Sequence, residues 1–316
     1  MFCVHTHPVK IRFVAPFFSS ATLFVFLAHV SVIIFGFLIA YFSHGLWLKE
    51  SFYREQPIVS YRDQYFLKLM GTNSTSGKPF ELKYSSFEQI NLINNDVLRY
   101  PDIRVRHEDI NGDGITDQFL LSATFPVVEE EQVQRVEGIF MFSYMLRNRV
   151  RLNVEAPVLL SHTGGVAGRE LFVSGSLSLS LANALPVLPS VRTTRDPLFP
   201  TNRTLSSSEV TMTSLVDKVA ARNDTFLLEP AVSTWNVAMV GCNPKCNFVI
   251  RLKVKIPNQK VWYVPTFIEV AKFSWIQILA TWVFLYFFVL PFIHFILDHQ
   301  IIQSVVKHPL KKFHRD

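Results

Sequence analysis

The side chains with the clearest potential for chemistry lie in one short polar loop, where an oxygen-bearing residue recurs at almost every second position. Positions 1, 3, 5 and 9 of this loop match the spacing of a calcium-binding loop and are occupied by Asp109, Asn111, Asp113 and Asp117. This spacing suits a hard cation, because calcium takes six or more oxygen ligands around one centre. Position 12, a bidentate Glu in an EF-hand, is Leu120, so a pair of EF-hand helices is not expected.

Two interpretations of this loop stay open on the sequence alone. In the first, the carboxylates converge on a structural calcium ion that ties the loop to a strand beginning at Gln118, because neighbouring carboxylates repel each other without a cation. In the second, the loop is a hairpin turn without an ion, since Asn-Gly and Asp-Gly are frequent hairpin turns and both occur between positions 111 and 114. No other cofactor is expected.

Motifs of the common enzyme classes are absent from the sequence. It contains no Gly-x-Ser-x-Gly, no His-Glu-x-x-His, no Gly-x-Gly-x-x-Gly behind a strand and no Walker lysine. The segment 162–168, His-Thr-Gly-Gly-Val-Ala-Gly, superficially resembles a phosphate-binding loop, but no helix follows it, and we expect it to join two strands. The sequence therefore predicts a protein without catalytic or cofactor-binding residues that does not bind nucleic acid.

Candidate modification sites fall in the middle of the chain. Three glycosylation sequons begin at Asn73, Asn202 and Asn223. Cys242 and Cys246 flank an Asn-Pro-Lys turn that would bring them together, so either a disulfide in an oxidising compartment or a pair of free thiols is expected. A zinc site would need two further soft ligands, and the only other cysteine is Cys3.

Two long apolar stretches predict membrane-spanning helices. No charged residue occurs from Val14 to Phe42 or from Phe273 to Leu297. Each stretch exceeds the ~20 residues that a helix needs to cross the hydrocarbon core. A cleaved signal peptide is the alternative for the first stretch, but its apolar region would be only ~7–15 residues long.

The charges beside the two spans predict their orientation. Residues 1–42 carry two cations and no acid, and residues 271–316 carry five cations against two acids, whereas the segment between them is nearly neutral. Cytoplasmic flanks are enriched in Lys and Arg, so both termini are expected in the cytoplasm. The predicted organisation is a cytoplasmic N-tail at 1–14, a span at 15–42, an extracytoplasmic domain at 43–270, a span at 271–297 and a basic cytoplasmic C-tail at 298–316.

The pattern of the middle segment is that of a mainly-β, sandwich-like domain. Apolar and polar residues alternate at 174–181, 250–256 and 149–154, as in strands with one wet face. The stretches 118–125 and 136–146 are more apolar and predict strands covered on both faces. One short helix is expected within 208–222, capped by Ser207 or Ser208, and 191–207 is expected to be an exposed loop.

Several polar or aromatic residues flank or interrupt the spans. His29 and His294 lie at different depths, so they are not expected to form a proton relay. Trp47, Trp262 and Tyr263 are expected near the outer interface. The basic C-tail is either an ordinary cytoplasmic anchor or a site for anionic lipid.

Four blocks of sequence carry a resemblance to a known family. They are Ser43-His44-Gly45-Leu46-Trp47-Leu48-Lys49, Tyr53-Arg54-Glu55-Gln56-Pro57, His107 to Asp117, and Phe142-Ser143-Tyr144. In their order and spacing, and in the two-span plan at this length, the chain resembles the transmembrane protein 231 family across nearly its whole length.

The resemblance implies a subunit of the tectonic-like, Meckel-syndrome-associated complex at the ciliary transition zone. Its partners would be other transition-zone membrane proteins, such as tectonics, and its role would be in ciliogenesis and in the diffusion barrier that controls entry of membrane proteins into the cilium. Two other functions suit two anchors around a glycosylated β domain, namely an accessory subunit of a lipid flippase and a subunit of a two-span channel.

Overall fold

The computed structural model describes residues 12–43, 45–93, 97–187, 191–193, 197–199, 211–222, 224–237 and 247–307. The chain forms two compact units, one made of its two ends up to Lys49 and from Pro265, the other of Glu50–Val264. Within the described residues the helices are α1 (Ser20–Phe42), α2 (Glu88–Ile93), α3 (Met212–Ala220) and α4 (Phe267–Asp298).

The helical unit contains α1 and α4, both long and apolar enough to cross a membrane. The α1 helix begins five residues after the predicted boundary, because Ser19 caps it and accepts a hydrogen bond from the backbone N–H of Thr22. The α4 helix begins four residues before its predicted boundary and has a length of about 48 Å over 32 residues. Pro291 lies inside it.

The two long helices pack antiparallel around a small residue. A Cβ atom on Gly36 of α1 would overlap the Trp282 ring of α4. The indole N–H of Trp282 donates to the Ile33 carbonyl oxygen at 3.3 Å, and the Thr281 hydroxyl donates to the Gly36 carbonyl oxygen at 3.1 Å. Small residues permit such close approach of helices in membranes.

The antiparallel packing of α1 and α4 determines which residue of α4 faces His29 and brings together the chain segments before α1 and after α4. The His29 ring lies edge-on to Tyr286, 5.7 Å away between ring centroids, so it faces α4 at Tyr286 rather than at His294. Strand β1 (Arg12–Val14), before α1, pairs antiparallel with the last strand of the chain, Val305–Lys307, after α4. The start of α1 and the end of α4 therefore lie at the same end of the helix pair.

In the residues that the structure describes, the β domain consists of two five-stranded sheets and a smaller one. The first five-stranded sheet has the order β11 (Arg192–Thr193), β8 (Leu152–Thr163), β7 (Glu131–Leu146), β3 (Ile58–Asn73) and β4 (Pro79–Ser85). The second has the order β12 (Asp224–Val237), β9 (Gly168–Leu181), β13 (Asn247–Lys255), β6 (Gln118–Pro126) and β5 (Asp102–Glu108). The small sheet has the order β10 (Leu185–Pro186), β14 (Gln259–Val264) and β2 (Ser51–Glu55), and the strand after α4 is β15.

One apolar core joins the two large sheets, as expected for a sandwich. Its members alternate along the strands, and they include Phe140 and Phe142 of β7 together with Ile250 and Leu252 of β13, all of which are buried. Alternation of this kind puts every second side chain on one face of a sheet. The mainly-β sandwich and its strands at 118–125, 136–146 and 174–181 are therefore confirmed, as is the strand at 250–256 except for Ile256, which follows it.

A second, smaller core covers the other face of the first large sheet. Ile139 and Met141 point away from the sandwich and pack with Leu215 and Val219 of α3. This explains why β7 is apolar at nearly every position from Ile139 to Leu146, because both faces of this part of the strand are covered.

Three predictions about this helical layer were wrong in detail. The cap of α3 is Thr211, whose hydroxyl accepts from the backbone N–H of Ser214, and a second short helix, α2, also belongs to the domain. The segment 191–207 is not exposed throughout, since Leu198 and Phe199 are buried in the second core, and the Phe199 ring stacks on that of Phe87. An apolar pair inside a polar stretch is enough to bury that part of it.

Candidate functional site

The polar loop of 109–117 closes the hairpin between β5 and β6, in which Glu108 pairs with Gln118. Asp109 accepts two backbone hydrogen bonds at 2.8 Å, from the N–H groups of Gly112 and Gly114. Both glycines have positive φ, +74° and +82°, a conformation that side chains disfavour. The Asn-Gly and Asp-Gly dipeptides therefore lie in the turn of this hairpin.

Asp117 fastens the end of this loop to another part of the domain. Its Oδ2 accepts from the backbone N–H groups of Ile110 at 2.8 Å and Asn111 at 3.2 Å, and its Oδ1 accepts from Nε2 of Gln56 at 2.8 Å. The hydrogen bond from Gln56, followed by the one from Ile110, lowers the pKa of the Asp117 carboxyl. The loop is thereby linked to the segment between β2 and β3.

The arrangement of the loop does not by itself assemble a cation site. The carboxylates of Asp109, Asp113 and Asp117 each accept backbone N–H groups of the loop. In the described part of the chain, no group of three or more His, Cys, Asp or Glu side chains is placed to hold a metal ion. A calcium ion at Asp109, Asn111, Asp113 and Asp117 stays a prediction.

Glu55, next to Gln56, organises a second turn. Its Oε1 accepts from the backbone N–H groups of Arg147 at 2.9 Å and Asn148 at 3.1 Å, which lie in the turn between β7 and β8. Its Oε2 accepts from the Tyr53 hydroxyl at 2.9 Å, and this hydroxyl accepts from the backbone N–H of Val150 at 3.3 Å. Burial raises the pKa of Tyr53, so it stays a neutral donor.

Tyr263 and Gln259 of β14 complete this arrangement. Tyr263 is buried in the β domain, where it accepts a hydrogen bond from the Arg149 guanidinium. Gln259 accepts from the Tyr144 hydroxyl at 3.1 Å and donates to the Leu177 carbonyl oxygen. Tyr263 points to the buried face of its strand, opposite to Trp262, and its position near the outer interface stays a prediction.

The glycine-rich segment 162–168 joins β8 to β9, as expected, and its glycines make room for a tryptophan. A Cβ atom on Gly168 would overlap the Trp235 ring, and one on Gly164 would be too close to it. The indole N–H of Trp235 donates to the Val166 carbonyl oxygen at 3.0 Å, and its ring stacks on His162 with centroids 5.1 Å apart. The loop is therefore packed by a side chain from β12.

A buried charge cluster was not foreseen from the sequence. Glu155 of β8 is 5% exposed and forms ion pairs with Arg62 at 2.9 Å and Arg222 at 3.1 Å. It also accepts from the backbone N–H of Leu198 at 3.1 Å. The signal was a single Glu among the apolar residues from Val154 to Leu160, because a buried carboxylate needs cationic or hydrogen-bonding partners.

Only one of the candidate modification sites lies in the described residues. Asn73 is the half-exposed last residue of β3, and its Oδ1 accepts from the backbone N–H groups of Thr75 and Ser76 in the following turn at 2.9 and 3.0 Å. The other two sequons and the cysteine pair lie outside the described residues, at Asn202, Asn223, Cys242 and Cys246. Glycosylation and the disulfide stay predictions.

Comparison with known proteins identifies the family. The family model described as transmembrane protein 231 matches residues 1–306. This chain belongs to the transmembrane protein 231 family. It is 32% identical to transmembrane protein 231 of Homo sapiens over 286 residues, covering 88% of each chain. It is 30% identical to the relative from Xenopus tropicalis over 286 residues and 89% of each chain, and 30% identical to that from Mus musculus over 291 residues and 90% of each chain.

Three of the four sequence blocks that resemble the transmembrane protein 231 family meet in the β domain. The Gln56–Asp117 hydrogen bond joins the second block to the third. Tyr144 of the last block pairs across the sheet with Val59, two residues beyond Pro57. As a member of this family, the protein is a membrane protein whose two candidate spans flank a mainly-β domain.

Proposed function

We propose that this chain is a non-enzymatic membrane subunit of the complex at the ciliary transition zone. There it contributes to ciliogenesis and to the diffusion barrier that controls which membrane proteins enter the cilium. Its partners are other transition-zone membrane proteins, such as tectonics and subunits of the Meckel-syndrome-associated complex. The observation that carries the proposal is membership of the transmembrane protein 231 family over nearly the whole chain.

The construction of the β domain supports an assembly role rather than catalysis. One oxygen of Glu55 and one of Asp117 accept hydrogen bonds from the backbone of turns, which fixes the shape of the loops around them. Preformed surfaces lose less conformational entropy on binding than mobile ones do, so rigid loops favour specific assembly. A barrier subunit needs a surface of this kind and no substrate site.

Replacement of the relative in ciliated cells tests the proposal. A line without its own transmembrane protein 231 would express this chain as a fluorescent fusion, and a plasma-membrane reporter that is normally excluded would be followed in the cilium. We expect a ring of fluorescence at the ciliary base and renewed exclusion of the reporter. Fluorescence spread over the plasma membrane, with the reporter still entering the cilium, would contradict the proposal.

A pair of variants separates assembly from expression in this experiment. Asp117→Ala removes the acceptor that joins the loop to Gln56, and we expect it to weaken enrichment at the ciliary base. Asp102→Ala changes a carboxylate of the same hairpin that is 59% exposed, and we expect normal enrichment. Recovery of the protein with a large ATPase, rather than with transition-zone proteins, would instead favour an accessory subunit of a flippase.

A further inference from the structure

Two paired strands of the β domain expose aromatic and cationic side chains on one face. Antiparallel pairing of β2 with β14 places Phe52 opposite Trp262 and Arg54 opposite Lys260. Phe52 is 50% exposed and Trp262 46%, and their ring centroids are 5.3 Å apart. We call this surface the β2–β14 outer face, and its members are Phe52, Arg54, Lys260, Trp262 and Val264.

The opposite face of the same two strands is already occupied. Glu55, Val261 and Tyr263 point into the domain and are buried. Side chains alternate between the two faces of a strand, so the outer face is the free side of a sheet whose other side belongs to the core. Its aromatic rings are therefore not needed to fill the interior.

The cations of the outer face lack a carboxylate partner in the described part of the domain. Arg54 and Lys260 are cross-strand partners, and like charges in this arrangement repel each other. No carboxylate of the described residues lies within salt-bridge distance of either. Lys260 contacts the Phe52 ring, with Nζ 5.3 Å from the centroid. Glu55, next to Arg54 along the chain, points to the buried face, and Glu50 precedes the strand.

The covalent chain keeps this face within reach of a membrane. Trp262 lies five residues before Phe267, the first residue of the candidate span α4, and five residues of chain extend at most about 18 Å. Phe267 and Ile268 are 77% and 78% exposed, as suits side chains that contact lipid from the first turn. The tether therefore holds Trp262 close to the point where the chain enters the bilayer.

We propose that the β2–β14 outer face rests on the surface of the bilayer that α4 enters. Phe52 and Trp262 lie at the level of the lipid headgroups, where amphipathic rings are favoured. Arg54 and Lys260 bind lipid phosphate oxygens, which relieves their mutual repulsion by charge-assisted hydrogen bonds.

Photo-crosslinking of the full-length protein in phosphatidylcholine nanodiscs tests this proposal. The photoreactive residue p-benzoylphenylalanine would replace Phe52 in one variant and Trp262 in another. A third variant would carry it at Val166, which is 54% exposed in the turn after β8. Val166 follows the last residue of β8, whereas the first residue of β8 adjoins the turn held by Tyr53 and Glu55 of β2. The 12 residues of β8 therefore separate Val166 from the β2–β14 outer face by about 40 Å.

The adducts would be identified by mass spectrometry, with the melting temperature of each variant kept within a few degrees of wild type. We expect about fivefold or more lipid adduct at positions 52 and 262 than at position 166. Lipid adducts no more abundant at 52 and 262 than at 166 would overturn the proposal. Adducts to a second copy of the protein would overturn it as well, because the face would then be a protein interface.

A second comparison in the same nanodiscs tests whether Arg54 and Lys260 bind lipid phosphate. With the photoreactive residue at 262, the double change Arg54→Gln and Lys260→Gln should lower the yield of lipid adduct several-fold. Arg104→Gln removes a cation that is 81% exposed on β5, and it should leave the yield unchanged. Equal yields in the double variant and its parent would overturn the assignment of phosphate binding to these two residues.

Discussion

The side-chain amide of Gln56 donates a 2.8 Å hydrogen bond to Oδ1 of Asp117, 61 positions further along the chain. The same carboxylate accepts the backbone N–H groups of Ile110 and Asn111. One aspartate thus closes the β5–β6 loop and attaches it to the segment that leads into β3. The shape of the loop consequently depends on a residue outside it.

The protonation of Asp117 should control the order of this loop. Its pKa is lowered in the folded protein, so the stabilisation is complete above the ordinary aspartate pKa of about 4 and is lost as the pH falls through the lowered value. Removal of the Gln56 amide should raise the pKa towards its ordinary value. As the pH is lowered, the backbone amides that Asp117 accepts from should therefore lose their protection from hydrogen exchange at a higher pH in Gln56→Ala than in wild type.

Hydrogen exchange at Ile110 and Asn111 measures this effect, provided that protection factors are corrected for the intrinsic pH dependence of exchange. Asp102→Ala, which changes an exposed carboxylate on β5, should keep the wild-type midpoint. If Gln56→Ala and wild type lose protection at the same pH, the hydrogen bond does not set the pKa of Asp117.

The glycine-rich turn after β8 should tolerate a methyl group at one position and not at another. Gly168→Ala drives a Cβ atom into the Trp235 ring, and overpacking of this kind costs about 1–3 kcal/mol. A Cβ atom on Gly165 meets no atom within 4 Å, so Gly165→Ala is the matched control. Thermal unfolding of the purified full-length protein should show a lower melting temperature for the first variant alone, and equal values for both would refute this packing.

The buried carboxylate of Glu155 should matter far more than an exposed one. Glu155→Ala leaves the Arg62 and Arg222 guanidinium groups without their shared carboxylate, and loss of one partner of a buried ion pair costs about 3–5 kcal/mol. The Arg222 side chain is 17% exposed, whereas that of Arg62 is 37% exposed, so we expect about 3 kcal/mol, near the lower bound of that range.

Denaturant unfolding of full-length protein, compared with Asp102→Ala, measures this difference. The Asp102–Arg104 pair is exposed, and such pairs contribute about 1 kcal/mol or less. A smaller loss for Glu155→Ala than for Asp102→Ala would show that the cluster does not hold the 198–199 segment and α3 to the sheet.

The packing of α1 on α4 should depend on Gly36 and Trp282 together. Gly36→Ala forces the indole ring of Trp282 to move and should destabilise the helix pair by about 1–3 kcal/mol. In Trp282→Ala the ring is gone, so adding Gly36→Ala should cost much less. A double-mutant cycle from unfolding in mixed micelles measures this coupling. Additive effects of the two changes would mean that the residues do not touch.

The elements that could be predicted from the sequence are those with an unbroken local pattern. The alternation of β9 and β13, the two apolar faces of β7 and the two candidate spans all follow from periodicity. Periodicity predicted that these segments are strands, but it did not predict which strands pair with each other. Sheet order depends on contacts between residues far apart in the chain, which periodicity does not contain.

The elements that were missed have interrupted patterns. In β3 the register with β7 shifts between Tyr61 and Tyr65, and Asp63 has a φ of +53°, so the alternation breaks in the middle of the strand. In β12 the register with β9 shifts between Glu229 and Val232. Bulges of this type exchange the faces of a strand, which hides it from a search for period two.

The roles of single polar residues were the hardest to predict. Gln56 looks like an ordinary turn residue before Pro57, and Glu155 like an isolated charge in a strand. Their partners, Asp117 for the first and Arg62 and Arg222 for the second, come from other elements. Only the folded sheet brings these pairs together.

Protease protection in sealed microsomes most directly tests the placement of a folded β domain between two anchors, with both tails in the cytoplasm. Full-length protein would carry a different epitope at each end, and Asn73→Gln would report whether a glycan is attached in the lumen. We predict that both epitopes are digested, that a fragment containing residues 50–264 survives, and that wild type carries a glycan absent from Asn73→Gln. Surviving end epitopes with a digested, unglycosylated β domain would contradict the account.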